Sequence, residues 1–111
     1  MALCHNKQYE NYYCKYVREK GIFAVRVAGS GASEGAPCDV VTIASGKTSL
    51  VEVKAVKAAE YRIPKIVRLK LEELRKVALS HQVTPMLVVR FKNRGWVERD
   101  LTYEVPIIVR I

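Results

Sequence analysis

The chain has no apolar run approaching the ~18 residues that a membrane-spanning helix requires. Its opening, Met1-Ala2-Leu3-Cys4-His5-Asn6, lacks the apolar core of a secretory signal, so an intracellular, cytoplasmic location is expected. Cysteine is scarce: Cys4, Cys14 and Cys38 form no CxxC pair and leave an odd one over. With His5 they match no zinc-finger spacing, and reduced, mostly buried thiols are expected instead. No internal repeat, low-complexity tract or dividing linker is visible, so the 111 residues are expected to form a single domain, 1–111. A domain of this size hides a modest share of its surface, and dimerisation would add burial. Acidic residues are few, eleven against nineteen Lys and Arg, for a net charge of +8. The resulting pI near 9.6 points to a polyanionic partner, because neutralised phosphates release condensed counterions. An anionic membrane surface would require a basic amphipathic segment with a large exposed apolar face, and none stands out. Nucleic acid is therefore the expected partner and membrane is not. No base-reading motif is present, so recognition by shape and backbone charge is expected.

What is present is enough to fold: half the residues are hydrophobic and 27% are charged. Tyr9, Tyr12, Tyr13, Tyr16 and Val17 recur at helical spacing, predicting a helix from Asn6 to Lys20 that stops at Gly21. The four tyrosines read as the helix core rather than as a base-stacking platform, and Glu10 falls at the edge of their stripe. Branched and aromatic content predicts a strand from Ile22 to Ala28, then a flexible Gly/Ser loop to Pro37. Strands are expected from Asp39 to Ala44 and Ser49 to Val56, joined by a turn around Ser45-Gly46-Lys47. A second helix is predicted from Pro64 to His81, with Val67, Leu71, Leu74 and Ala78 on one face. Val83 to Phe91 reads as a buried strand whose beginning Pro85 confines to a sheet edge. A turn at Asn93-Arg94-Gly95 leads to a β region from Trp96 to Ile111. The order predicts a mixed α/β domain.

The chemistry is concentrated in Asp39, twelve further residues, then Glu52-Val53-Lys54. Side chains alternate across a strand, so Glu52 and Lys54 share one face while Val51, Val53 and Ala55 share the other. If the hairpin sets Asp39 beside Glu52, two carboxylates and an ammonium converge. Hard cations such as Mg²⁺ take oxygen ligands, and two carboxylates with phosphate oxygens and water meet that demand. Such a cation polarises a scissile phosphate and lowers the pKa of water, while Lys54 orients or deprotonates that water or steadies charge on the phosphate. The plain alternative is a solvated strand face carrying a cross-strand ion pair. Against it stands the setting: a triplet among Val and Leu, after a Gly/Ser loop, in a basic chain.

Pro37-Cys38-Asp39 followed by Glu52-Val53-Lys54 resembles the PD-(D/E)XK nuclease signature, with one residue inserted between Pro and Asp. The likeness extends to the archaeal Holliday junction resolvases through Gly21-Ile22-Phe23-Ala24-Val25-Arg26-Val27-Ala28-Gly29-Ser30 and through Glu10, eleven residues before Gly21. It covers roughly residues 7 to 96. The resemblance implies a restriction-endonuclease-like fold, a mixed sheet flanked by helices. It implies a metal-dependent endonuclease that nicks four-way junction DNA in symmetric pairs as a homodimer, with Mg²⁺, or Mn²⁺ in its place, and no organic cofactor. Asp39 and Glu52 would bind the metal, Lys54 assist the water, and Glu10 add a direct or water-mediated carboxylate. Ser30 resembles a serine contributing to catalysis, Ser33 more weakly, and Arg26 an arginine of junction binding. An ordinary surface role remains open for Glu10, Arg26 and Ser30.

The pattern departs from the family at Asn11, where an Arg usually follows the glutamate, and at Ala55-Val56-Lys57-Ala58-Ala59, where a Ser or Thr usually follows the motif. Lys57, Arg62, Lys65 and Arg68 lie beyond the active strand and at the start of the second helix, a candidate DNA surface. Trp96, Val105, Ile107 and Ile108 are assigned to either core or dimer interface. The competing functions are a nuclease of duplex ends, flaps or nicks, and a non-catalytic structure-specific DNA binder.

Overall fold

The computed structural model describes residues 6–27 and 38–111. Ser30 and Ser33, with Cys4, His5 and the whole Gly/Ser loop, lie outside the described residues. Nine elements follow in order: α1 (Asn6–Arg18), β1 (Phe23–Arg26), β2 (Val40–Ala44), β3 (Lys47–Val56), β4 (Glu60–Arg62), α2 (Lys65–Ser80), β5 (Thr84–Phe91), β6 (Gly95–Asp100) and β7 (Ile108–Arg110). Five strands form a mixed sheet in the order β1-β2-β3-β5-β6, with β3 and β5 parallel and the other pairs antiparallel. β4 and β7 form a separate antiparallel ribbon.

The sheet is covered on both faces, as its apolar pattern requires. Tyr13, Cys14 and Val17 of α1 pack on Ala24, Val40, Val51, Val53 and Val88. On the other face Leu71 and Leu74 of α2 pack on Cys38, Leu87, Val89 and Phe91, joined by Ile63, Leu101 and Val109. β5 lies between β3 and β6, and Leu87, Val88 and Val89 are all fully buried. The described thiols, Cys14 and Cys38, are free and buried. Ser45 and Gly46 both take positive φ (51° and 81°), so the β2–β3 turn needs only two residues. Pairing therefore resumes at Lys47 rather than at Ser49.

Three expectations need correction. Of the four α1 tyrosines only Tyr13 is buried, while Tyr12 is 49% exposed. The buried stripe is Glu10, Tyr13, Cys14 and Val17, an i, i+3, i+4, i+7 set with the carboxylate at its head. Pro85 does not mark an edge, because β5 is paired on both sides. The Leu101 N–H donates to the Pro85 carbonyl at 2.9 Å, and the return bond that proline cannot make is replaced: Arg75 Nε donates to the Leu101 carbonyl at 2.9 Å. The β region after Trp96 is interrupted: β6 ends at Asp100, and β7 pairs with β4, which was not anticipated. Of the residues assigned to core or interface, Trp96 packs on Tyr13 (5.3 Å between rings), Val105 on the α2-side core, and Ile107 is 64% exposed.

Candidate active site

The site is built where β2 stops short of β3. Their ladder ends at Val40 opposite Val51, while β3 runs on to Val56. Asp39 occupies the gap. Its backbone N–H donates to the Val51 carbonyl at 2.9 Å, and its Oδ2 accepts from the Val53 N–H at 2.9 Å. A side chain thus takes the ladder position that the departing main chain leaves, which satisfies a buried donor and fixes the carboxylate beside Glu52. The Asp39 carbonyl accepts in turn from the Val27 N–H at 2.8 Å, tying the end of β1 to the same point.

Glu52 is 7% exposed, and Lys54, two residues on and on the same face, stands 3.5 Å from its Oε2. Glu10 enters from α1 on the opposite face of the sheet and is 4% exposed. Arg26 Nη1, at the end of β1, lies 3.8 Å from Glu10 Oε1, an ion-pair distance too long for a hydrogen bond. That oxygen is buried with no hydrogen-bond partner. Arg26 is thereby a neighbour of the carboxylate cluster, with a side chain 27% exposed, rather than a plain surface charge.

Burial, then the negative charge of Asp39, pushes both Glu10 and Glu52 up to about 7. Arg26 opposes the rise at Glu10, and Lys54 and Lys70 oppose it at Glu52. Three acidic groups therefore share one electrostatic neighbourhood, in which burial and mutual repulsion outweigh the nearby cations at Glu10 and Glu52. Among the described residues no three His, Cys, Asp or Glu side chains are gathered into a ready-made metal cage. Mg²⁺ does not need one, since it binds through one or two carboxylates and completes its shell with water and phosphate oxygens. The all-oxygen donors, their mutual repulsion and a buried Glu10 Oε1 without a hydrogen bond fit a hard divalent cation.

Sequence reasoning missed two neighbours of Glu52. Lys70 of α2 lowers its pKa, and Tyr61 of β4 is raised by burial and then by the charge of Glu52. Lys70 borders the buried Leu71 in the sequence, a faint signal; nothing marked Tyr61, because β4 itself was not foreseen. Of the proposed DNA contacts, Lys57, Arg62 and Lys65 are exposed. Arg62 lies 3.5 Å from Glu60. Arg68 is half-buried, with a buried Nε that has no hydrogen-bond partner.

Residues 5–102 match the family model described as archaeal Holliday junction resolvase (hjc). No curated protein matches the sequence significantly. Among solved structures the chain is similar to Archaeoglobus fulgidus Hjc, a Holliday junction resolvase from an archaeal hyperthermophile, with a TM-score of 0.75 and 21% identity. The match covers 93% of this chain and 85% of that one, and it shows a shared fold.

Proposed function

Because the chain belongs to the archaeal Holliday junction resolvase family, we propose that it resolves four-way junctions through Asp39, Glu52 and Lys54. Membership makes it a junction-resolving nuclease, a crossover junction endodeoxyribonuclease. The observation that carries the site assignment is the 2.9 Å bond from the Val53 N–H to Asp39 Oδ2, which sets the two carboxylates side by side with Lys54 adjoining.

Resolvase nucleases of this kind are metal-dependent. Here Asp39 and Glu52 would hold Mg²⁺, or Mn²⁺ in its place, with Glu10 as a direct or water-mediated further ligand. When bound, the cation supplies the positive charge that polarises the scissile phosphate and makes water acidic enough to attack. Lys54 orients that water, takes up its proton, or steadies the charge that gathers on the phosphate oxygens. Burial of Glu52 keeps bulk water from screening these charges. Lys70 adds a second ammonium on the α2 side of Glu52. Arg26 balances Glu10 and offers its exposed part to a phosphate, as do Lys57, Arg62, Lys65 and Arg68 along the strand-to-helix segment. Ser30 keeps its role as a catalytic contributor from the family resemblance.

Two symmetric nicks require two equivalent sites, so the working species is a homodimer. Light scattering at working concentration should return twice the chain mass, and a monomer would rule the dimer out. No helix among the described residues is long and apolar enough to cross a membrane, and action on DNA inside the cell is the natural setting. Selectivity is tested by comparing cleavage of a four-way junction with cleavage of its component duplexes, flaps and nicked arms in Mg²⁺. Preference for the junction is expected; equal cutting of the arms would move the chain to the duplex nucleases.

A further inference from the structure

Tyr9, Tyr12, Arg90, Lys92, Asn93 and Trp96 line a groove of about 320 Å³ between α1 and the β5–β6 hairpin. None of the lining side chains among the described residues is acidic. Tyr9 and Tyr12 meet edge to face, 5.5 Å apart at 88°. Trp96 is braced from behind by Tyr16, stacked at 5.7 Å, and by Tyr13. Arg90 sits 5.3 Å from the Trp96 ring centre and Lys92 sits 5.4 Å from that of Tyr9. Tyr9 and Trp96 also pack against the α1-side core, but Tyr12 is 49% exposed on a helix whose buried stripe runs elsewhere, so core packing does not explain its place at the groove.

The chemistry narrows the occupant. Phosphate alone would be met by the cations and needs no aromatic wall. A base inside a duplex shows only its edges, whereas an unstacked base offers a π-face that stacks on Tyr or Trp whatever its identity. Three aromatic rings with two cations and no acid suit a nucleobase together with its phosphate. The groove is also close to the reacting centre. Tyr9 directly precedes Glu10, and Arg90 is the register partner of Ala55, the residue after Lys54. It opens on the α1 face, whereas Glu52 and Lys54 lie on the other, so a strand reaching both must pass the end of the sheet where Asp39 stands. Bases at the exchange point of a four-way junction are those least costly to unstack.

We propose that this groove is a nucleobase subsite, taking one unstacked base of a junction strand against Tyr12, with the adjoining phosphate on Arg90 and Lys92. The source of the base rests on the junction-nuclease reading above; the groove's affinity for an unpaired nucleotide does not.

The chain contains one tryptophan, Trp96, so its fluorescence reports on the groove. The wild-type protein is titrated in EDTA with a thymidine tetranucleotide, and with an abasic tetranucleotide carrying the same phosphates. The thymidine oligomer is expected to quench Trp96 saturably and the abasic one to bind far more weakly. Tyr12→Ala should lower thymidine affinity about tenfold. Tyr12→Leu keeps apolar bulk without a π-face and should show the same loss, while Tyr12→Phe retains wild-type affinity. Junction nicking by the wild type in Mg²⁺ is measured alongside. Nicking without any Trp96 response to the thymidine oligomer overturns the groove and leaves the nuclease standing. Equal responses to the two oligomers also overturn it, reducing the site to a phosphate patch. Selective quenching in a protein that neither binds nor nicks junctions supports the subsite and overturns the nuclease reading instead.

Discussion

At the residue scale the decisive feature is a carboxylate used as backbone. Asp39 completes the ladder at Val53, and its charge adds to burial, the larger cause, in raising the proton affinity of Glu52 and Glu10 around it. An ordinary glutamate titrates near 4.5, and these two near 7. The folded protein therefore holds more protons than the unfolded chain between those values. The stability carried by the neutral carboxyls is fully present below about pH 4.5 and is lost as pH rises through about 7. Glu52→Gln removes one of these groups. In EDTA near pH 8 the variant should be more stable than the wild type, by on the order of 2 kcal/mol, with the difference vanishing near pH 4. Thermal melts at the two pH values check this; a variant less stable at pH 8 would mean that Glu52 is not strained. By the same linkage, cleavage at limiting Mg²⁺ should rise with pH through about 7, and this rise should move to lower pH as Mg²⁺ is increased. That Asp39, Glu52 and Lys54 would lie together was legible in the sequence, because strand alternation and the hairpin both pointed to it. Lys70 and Tyr61 were not, because β4 was not foreseen and helical periodicity does not say which lysine of the polar face of α2 turns toward the sheet.

At the scale of elements, periodicity located both helices and the five strands of the main sheet, since each presents a regular apolar face. It failed where one residue's partner lies elsewhere. Pro85 read as an edge residue because proline lacks a donor, yet Arg75 supplies the missing bond to Leu101 and further contacts Thr102 and Tyr103 carbonyls at 3.2 and 3.3 Å. This clamp lets a proline sit in an interior strand and fixes the turn after β6. Arg75→Met keeps the apolar stem and should cost about 2 kcal/mol, with faster amide hydrogen exchange around residues 101–103. Unchanged exchange there would show that the turn holds without the clamp. The α1 tyrosines failed differently: helical spacing identifies a stripe but not its width. α1 rests on the narrow strip headed by Glu10, which leaves Tyr12 outside.

At the scale of the whole molecule, an excess of eight positive charges acts on a partner whose backbone is uniformly negative. Junction affinity should fall linearly with salt on a double-logarithmic plot, with a slope near 0.9 per phosphate neutralised. Exchanging Lys57, Arg62 and Lys65 for Gln together should lower that slope by about 2.7, and an unchanged slope would take this segment off the DNA surface. Charge balance indicated the partner's class, and the family motifs its shape; the arrangement of the cations over the two faces required the fold. Asp39, Glu52 and Lys54 are proposed to form a metal-dependent site that cuts junctions in pairs. The most direct test maps the nicks on a strand-labelled four-way junction, with and without Mg²⁺, for the wild type and Glu52→Gln. Paired symmetric nicks that need the metal and disappear in the variant are predicted; nicks that persist in the variant, or a bound junction left uncut by the wild type in Mg²⁺, would contradict it.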